Sequence, residues 1–131
     1  MKRIFLVVSE EEEELPDGRK LVTGHYKMLW MAEEFDPSSP LPHRGSCNNH
    51  GTIYREADGK TWSGAGMNHC FDEDGDSYWE YWEGNQDSGT HTQFRGTGKY
   101  RGLKGAGTWK SGIQFLNRTS MHTWALTQTI P

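Results

Sequence analysis

The sequence predicts an all-β domain of about eight strands, arranged as a closed barrel or a sandwich. Three observations carry this. Short runs of apolar and aromatic residues alternate with polar ones. Two Asp-Gly pairs, Asp58-Gly59 and Asp74-Gly75, separate such runs, and Asp-Gly is the dipeptide that two-residue hairpin turns favour. Sixteen glycines punctuate 131 residues, and no stretch reads as a helix. The length fits one domain, residues 1–131.

The first strand is the apolar run "RIFLVV". Lys2 and Arg3 precede only five apolar residues, fewer than the roughly 7–15 of a secretory leader, so the chain is expected in the cytoplasm. No run is long enough to span a membrane. The five glutamates that follow, with "LPDG", read as a solvated connection. In "KLVTGHYKMLWMAEE", Val22, Tyr26, Met28 and Trp30 share one parity, and Thr23, His25 and Lys27 the other. That alternation predicts a long strand. "EEFDPSSPLPHRG" holds three prolines and reads as a long loop of the kind that often binds or covers a ligand. The two hairpins come next. Then follow "THTQFRG", the stretch "GTGKYRGLKGAGTW", "TWKSGIQF" and "SMHTWALTQTI".

Two-residue turns would set the register of both hairpins. The first places Cys47 directly opposite Cys70, the only two cysteines. They would form a hydrogen-bonded pair about 5.5 Å apart at Cα. A disulfide is feasible there, and a reducing cytosol would instead leave two free thiols. The second turn would place His69 opposite Glu80, Phe71 opposite Tyr78 and Met67 opposite Trp82, with His50 diagonal to His69. An imidazole beside a carboxylate, walled by aromatics, can exchange protons. A surface cross-strand ion pair has the same pattern. The opposite face offers Asn49, Asn68, Tyr81 and Glu83, with Gly64 and Gly66 leaving space. Either face can line the interior. Aromatics on both faces suggest a further contact outside, as in a homo-oligomer.

Several classes are excluded. The net charge is −4 and no basic patch is visible, so nucleic acid is not an expected partner. The glycine stretch lacks the strand–turn–helix context of a dinucleotide loop. Its "GTGKY" has Tyr100 where a phosphate loop needs Ser or Thr. "DEDGD" spaces Asp72, Asp74 and Asp76 like part of a calcium loop, but Ser77 stands where that loop needs glycine. Cys47, His50, His69 and Cys70 do not converge, because adjacent strand residues point to opposite faces. No metal and no organic cofactor is expected.

The order of a cysteine strand, an Asp-Gly hairpin, an aromatic strand and "FRGTGKYRGLKGAGTW" resembles the allene oxide cyclase-like barrels, which include dirigent proteins and bacterial spirotetronate cyclases. The resemblance spans residues 47–112. It is carried by Gly96, Gly98, Lys99, Tyr100, Gly102, Leu103 and Gly105, with Trp109 shortly after. It implies an eight-stranded antiparallel β-barrel, calycin-like in outline and often oligomeric, with a ligand pocket in its mouth. It also implies a cofactor-independent cyclase or isomerase that confines an apolar small molecule. Alignment with the spirotetronate cyclases would put Trp79, Tyr81 and Glu83 inside, against the His69–Glu80 face. The register of the second hairpin, rather than that alignment, gives the expected site: His69 and Glu80 as acid and base, with Tyr26, His50, Tyr78, Trp82 and Trp109 shaping the pocket. A non-catalytic small-molecule carrier and an oligomeric structural β protein are the alternatives.

Overall fold

A computed structural model describes residues 2–32, 44–114 and 120–129. Of the expected binding loop, residues 33–45, residues 33–43 lie outside the described residues, and Arg44 and Gly45 open a strand instead. Eight strands form one curled antiparallel sheet: β1 Lys2–Glu14, β2 Lys20–Met31, β3 Arg44–Arg55, β4 Trp62–Asp72, β5 Ser77–Asn85, β6 Ser88–Gly96, β7 Lys104–Gln114 and β8 Ser120–Thr129. Strand order follows the sequence and returns from β8 to β1. That return is a short seam, residues 2–5 against 120–123. Beyond it, among the described residues, β1 pairs only with β2 and β8 only with β7. The strands are staggered, as curling a sheet demands. The result is a half-barrel joined by a seam rather than the fully laced barrel expected. No helix among the described residues is long and apolar enough to cross a membrane.

The glutamate run is a strand, not a solvated connection. Glu10 to Glu14 pair with Gly24 to Lys20 along β2. Glu12 bonds Lys20 at 3.4 Å and Arg55 at 3.2 Å. Charge of this density is tolerated because the neighbouring strands supply cations. In β2 the predicted alternation holds: Val22, Tyr26, Met28 and Trp30 are buried.

The first hairpin keeps its predicted register by a different turn. Asp58 accepts hydrogen bonds from the Lys60 and Thr61 amides, both at 2.8 Å, and from the Thr61 hydroxyl at 2.6 Å. These contacts, the Thr61 hydroxyl first, draw its carboxyl down to about 2. The first ladder bond joins Glu56 N–H to Thr61 at 2.8 Å, so four residues form the loop. Cys47 still faces Cys70. Counted from Thr61, however, the pair falls on a non-hydrogen-bonded site, where strands come closer. Its Cα atoms are 4.0 Å apart rather than about 5.5 Å, and the two sulfurs are bonded.

The second hairpin differs by one residue. Asp72 N–H bonds the Asp76 carbonyl at 2.9 Å, and Gly75 N–H bonds the Asp72 carbonyl at 3.2 Å. The loop therefore has three residues, and Gly75 takes the positive φ of 86° that such a loop requires. Every β5 residue moves one place along β4. His69 faces Trp79, Asn68 faces Glu80, Cys70 faces Tyr78 and Gly66 faces Trp82. The expected His69–Glu80, Phe71–Tyr78 and Met67–Trp82 pairings do not form. Because side chains alternate, the shift exchanges the β5 faces. Tyr78, Glu80 and Trp82 join Cys47, Asn49, Asn68 and Cys70 inside. Tyr81 and Glu83 are exposed, and Trp79 faces outward with them, against the alignment with the spirotetronate cyclases.

The glycine stretch folds over this second turn. A short 3-10 turn, Gly98–Tyr100, leads from β6 toward β7. Gly98 has φ +55°, and a Cβ there would run into the Asp76 carboxylate. Tyr100 and Leu103 drop into the core with Met28, Trp30, Tyr78 and the disulfide. The Tyr100 hydroxyl donates to Asp72 at 3.0 Å. The Lys99 ammonium lies 3.0, 2.6 and 3.7 Å from Asp72, Asp74 and Asp76. The three aspartates thus surround a lysine of the same chain, where a calcium loop would hold its ion.

Burial opposes the charge on Asp72, but hydrogen bonds from Lys99, Tyr100 and the Asp74 amide outweigh it and hold the carboxyl below its ordinary value. The bond to Asp74, then that to Asp72, raises Lys99. Burial first, then Asp72, raises Tyr100. The Asp72 contribution to stability is complete above pH roughly 4 and is lost as pH falls below it. The Lys99 and Tyr100 contributions are complete below pH roughly 10 and are lost as pH rises through their raised values. Urea unfolding across pH should show both limbs. Tyr100→Phe should lower stability near neutral pH by about 1.5–3 kcal/mol, the worth of a hydrogen bond to a charged group, and should flatten the alkaline limb. The double substitution Cys47→Ala with Cys70→Ala opens a loop of sequence separation 23. It should cost about 3 kcal/mol in the same assay, and reduction of the unsubstituted chain should have a similar effect.

Candidate functional site

The ladders stack the interior in register rows. At the end covered by the glycine turn, Met28, Cys47, Cys70 and Tyr78 form an apolar row. The next row is a polar belt: Tyr26, Asn49, Asn68, Glu80 and Gln93, one from each of β2 to β6. Beyond it lie Gly24, Gly51, Gly66, Trp82 and His91. The last row carries Val22, Ile53, three glycines and Trp109.

The glycines of the outer two rows make room for indoles. A Cβ at Gly51 or Gly66 would stand 2.7 or 2.8 Å from the Trp82 ring, and one at Gly84 or Gly89 would strike Trp109. Trp82 and Trp109 meet edge to face with ring centres 6.4 Å apart. Trp62 lies parallel to Trp109, also at 6.4 Å. The Trp82 indole N–H donates to Asn49 Oδ1 at 3.1 Å, so the aromatic wall is tied to the belt.

Glu80 is the centre of the belt and is fully buried. Asn68 Nδ2 donates to one carboxylate oxygen at 2.8 Å and Gln93 Nε2 to the other at 2.7 Å. His91, also buried, places Nδ1 3.6 Å from Glu80 and 2.8 Å from Gln93 Nε2. The Tyr26 hydroxyl donates to Glu10 at 3.0 Å. The amide oxygens of Asn68 and Gln93 are buried without a hydrogen-bond partner. Amides and a carboxylate are expensive to remove from water. Here the carboxylate is satisfied by donors whose own acceptors are left open.

The expected site residues divide. Glu80, Tyr26, Tyr78, Trp82 and Trp109 are inside, although Tyr78 belongs to the apolar row and packs on Tyr100 at 5.1 Å. His69 and His50 are outside. His69 stacks on Trp79 at 3.9 Å, and burial lowers its pKa. His50 is exposed and stacks on His25 at 4.5 Å. His69 and Glu80 therefore stand on opposite faces of the sheet and cannot act as an acid/base pair. The one-residue shift at the second turn is the cause.

His91 and Gln93 were missed. Their shared parity in "THTQFRG" was visible, but their direction depends on the neighbouring ladder. A bulge between Trp79 and Glu80 sets Gln93 rather than Phe94 against Glu80. Among the described residues no three of His, Cys, Asp and Glu converge as a metal site.

Glu80→Gln would oppose an amide N–H to a neighbouring amide donor. It should cost about 1–3 kcal/mol for the group left unsatisfied. Adding Gln93→Glu returns a carboxylate to the belt and should recover part of that loss, which a double-mutant cycle in urea would measure. Compared with family models, curated proteins and solved structures, the chain matches none.

Proposed function

We propose that the chain is a cofactor-independent isomerase or cyclase that takes an apolar small molecule into the curled sheet, with Glu80 and His91 handling the proton. The observation that carries this is the buried Glu80–His91 pair, beside two unpartnered amide oxygens and walled by Trp82 and Trp109. Leaving a buried acceptor unsatisfied costs about 1–3 kcal/mol. A ligand with an O–H or N–H would recover that cost, while its apolar body packed on the indoles. A carboxylate beside an imidazole can accept a proton from a carbon acidified by a neighbouring carbonyl and return it elsewhere. Confinement by the indoles would favour the reactive conformer. The resemblance of the Gly96–Gly105 turn and Trp109 to the allene oxide cyclase-like barrels supports the same reading. On that reading the sheet completes a barrel of that type, the chain works in the cytoplasm, and burial of both sulfurs slows thiol attack on the disulfide.

Hydrogen–deuterium exchange at the α-carbon of 2-tetralone in heavy water tests this. The wild-type chain should accelerate exchange. His91→Phe should reduce it by about 10²-fold, the lower end for general acid–base catalysis, while 2-tetralone still quenches tryptophan fluorescence. Quenching without exchange in the wild-type chain would instead establish a non-catalytic carrier. A second reading, an oligomeric structural β protein, is favoured by Leu29, Met31, Met67, Tyr81 and Phe94, which are 40–63% exposed on the outer face. Sedimentation would support it if a stable oligomer formed and neither exchange nor quenching occurred.

A further inference from the structure

The outer face carries a site that the interior does not use. An open groove of about 560 Å³ runs across β2 to β5, lined by His25, Lys27, Asn48, His50, His69 and Trp79, with Met67 in its wall. That volume lies within the range of small-molecule sites. Two register rows build it. One runs from His25 through His50 and Met67 to Tyr81, and the other from Lys27 through Asn48 and His69 to Trp79 and Arg95.

The lining has two properties that together specify a ligand. The first is charge. Neither row contains an acidic residue as far as Tyr81 and Arg95, in a chain of net charge −4. The adjacent row carries two acids, Glu11 opposite Thr23 and Glu83 opposite Ala65. Lys27 is exposed and has no ion-pair partner among the described residues. Arg95 has no carboxylate partner among the described residues and sits over the Trp79 ring at 5.5 Å. The second property is flatness. His25 and His50 stack within 5° of parallel, and His69 and Trp79 within 10°. Cross-strand stacking holds these rings upright on the sheet. A flat ring can extend such a stack, and an anion on that ring would meet Lys27 and the Asn48 amide.

We propose that this groove binds a small planar aromatic anion, on the opposite side of the sheet from the Glu80–His91 pair. Asn68 is the one lining residue that the groove shares with the Glu80 belt, and none of the stacked rings points inward.

The test is a titration of the full chain with 2-naphthoate and with neutral 2-naphthamide, followed by the Met67 methyl, imidazole and indole signals in NMR spectra. Naphthoate should shift Met67, His25, His50 and His69 together and bind at least 5-fold more tightly than naphthamide. Lys27→Gln, at an exposed position, should leave the fold intact and remove that preference. Three results would overturn the proposal. One is equal affinity for the two compounds, or no shift at millimolar concentration. Another is shifts confined to Trp82 and Trp109, which would put the ligand inside the sheet. The third is a concentration-dependent change of the same signals without ligand, which would give the face to a second copy of the chain.

Discussion

The Asp72 carboxylate holds together the two features from which the rest of the structure follows. It accepts the Asp74 and Asp76 amides at 2.8 and 3.1 Å, which favours a three-residue loop in the second hairpin. It also accepts the Tyr100 hydroxyl and pairs with Lys99, which anchors the glycine turn over the end of the sheet. The loop length decides which β5 side chains face inward. The anchored turn delivers Tyr100 and Leu103 to the apolar row beneath. Burying the Leu103 side chain alone is worth roughly 1.5–3 kcal/mol. Asp72 is 6% exposed, so its charge is affordable only because four donors converge on it.

The interior is graded along the strands by the same registers. An apolar layer with the disulfide lies under the glycine turn, the polar belt comes next, and the indoles seated on glycines lie beyond. The belt places a carboxylate where hydrogen bonding, not solvent, must stabilise it. Asn68 and Gln93 supply that stabilisation from the two flanking strands, β4 and β6. Their own amide oxygens, buried without a hydrogen-bond partner, are the cost. The indoles complete the wall because the glycines opposite each other on neighbouring strands leave a flat floor.

Much of the fold was legible in the residues. Strand identity came from alternation, since side-chain direction has a period of two whatever the surroundings. The shared parity of Val22, Tyr26, Met28 and Trp30 needed nothing else, and the pairing of Cys47 with Cys70 needed only the centre of the first turn. The first hairpin shows a limit to that reasoning. Its loop has four residues rather than the expected two, yet loops of either length centred alike give the same register. The second hairpin had no such protection. A three-residue loop differs by one, and one residue reverses a face. His69 and Glu80 were separated by that single step. The glutamate run misled in a similar way, because its strand depends on Lys20 and Arg55 lying across from it.

The sequence by itself determined most of the strands, the two hairpins at Asp58-Gly59 and Asp74-Gly75 and the parity classes within each strand, because those depend on local alternation and on glycine in the turns. Only the tertiary structure decided how the parity classes combine. It decided that Glu80 would meet Asn68, Gln93 and His91 inside, and that three histidines would stack outside. The physical reason is that a strand's own pattern is unchanged when it is shifted by one residue against its neighbour. Its contacts are not, and the shift was set by the hydrogen bonds that one buried aspartate accepts from its turn.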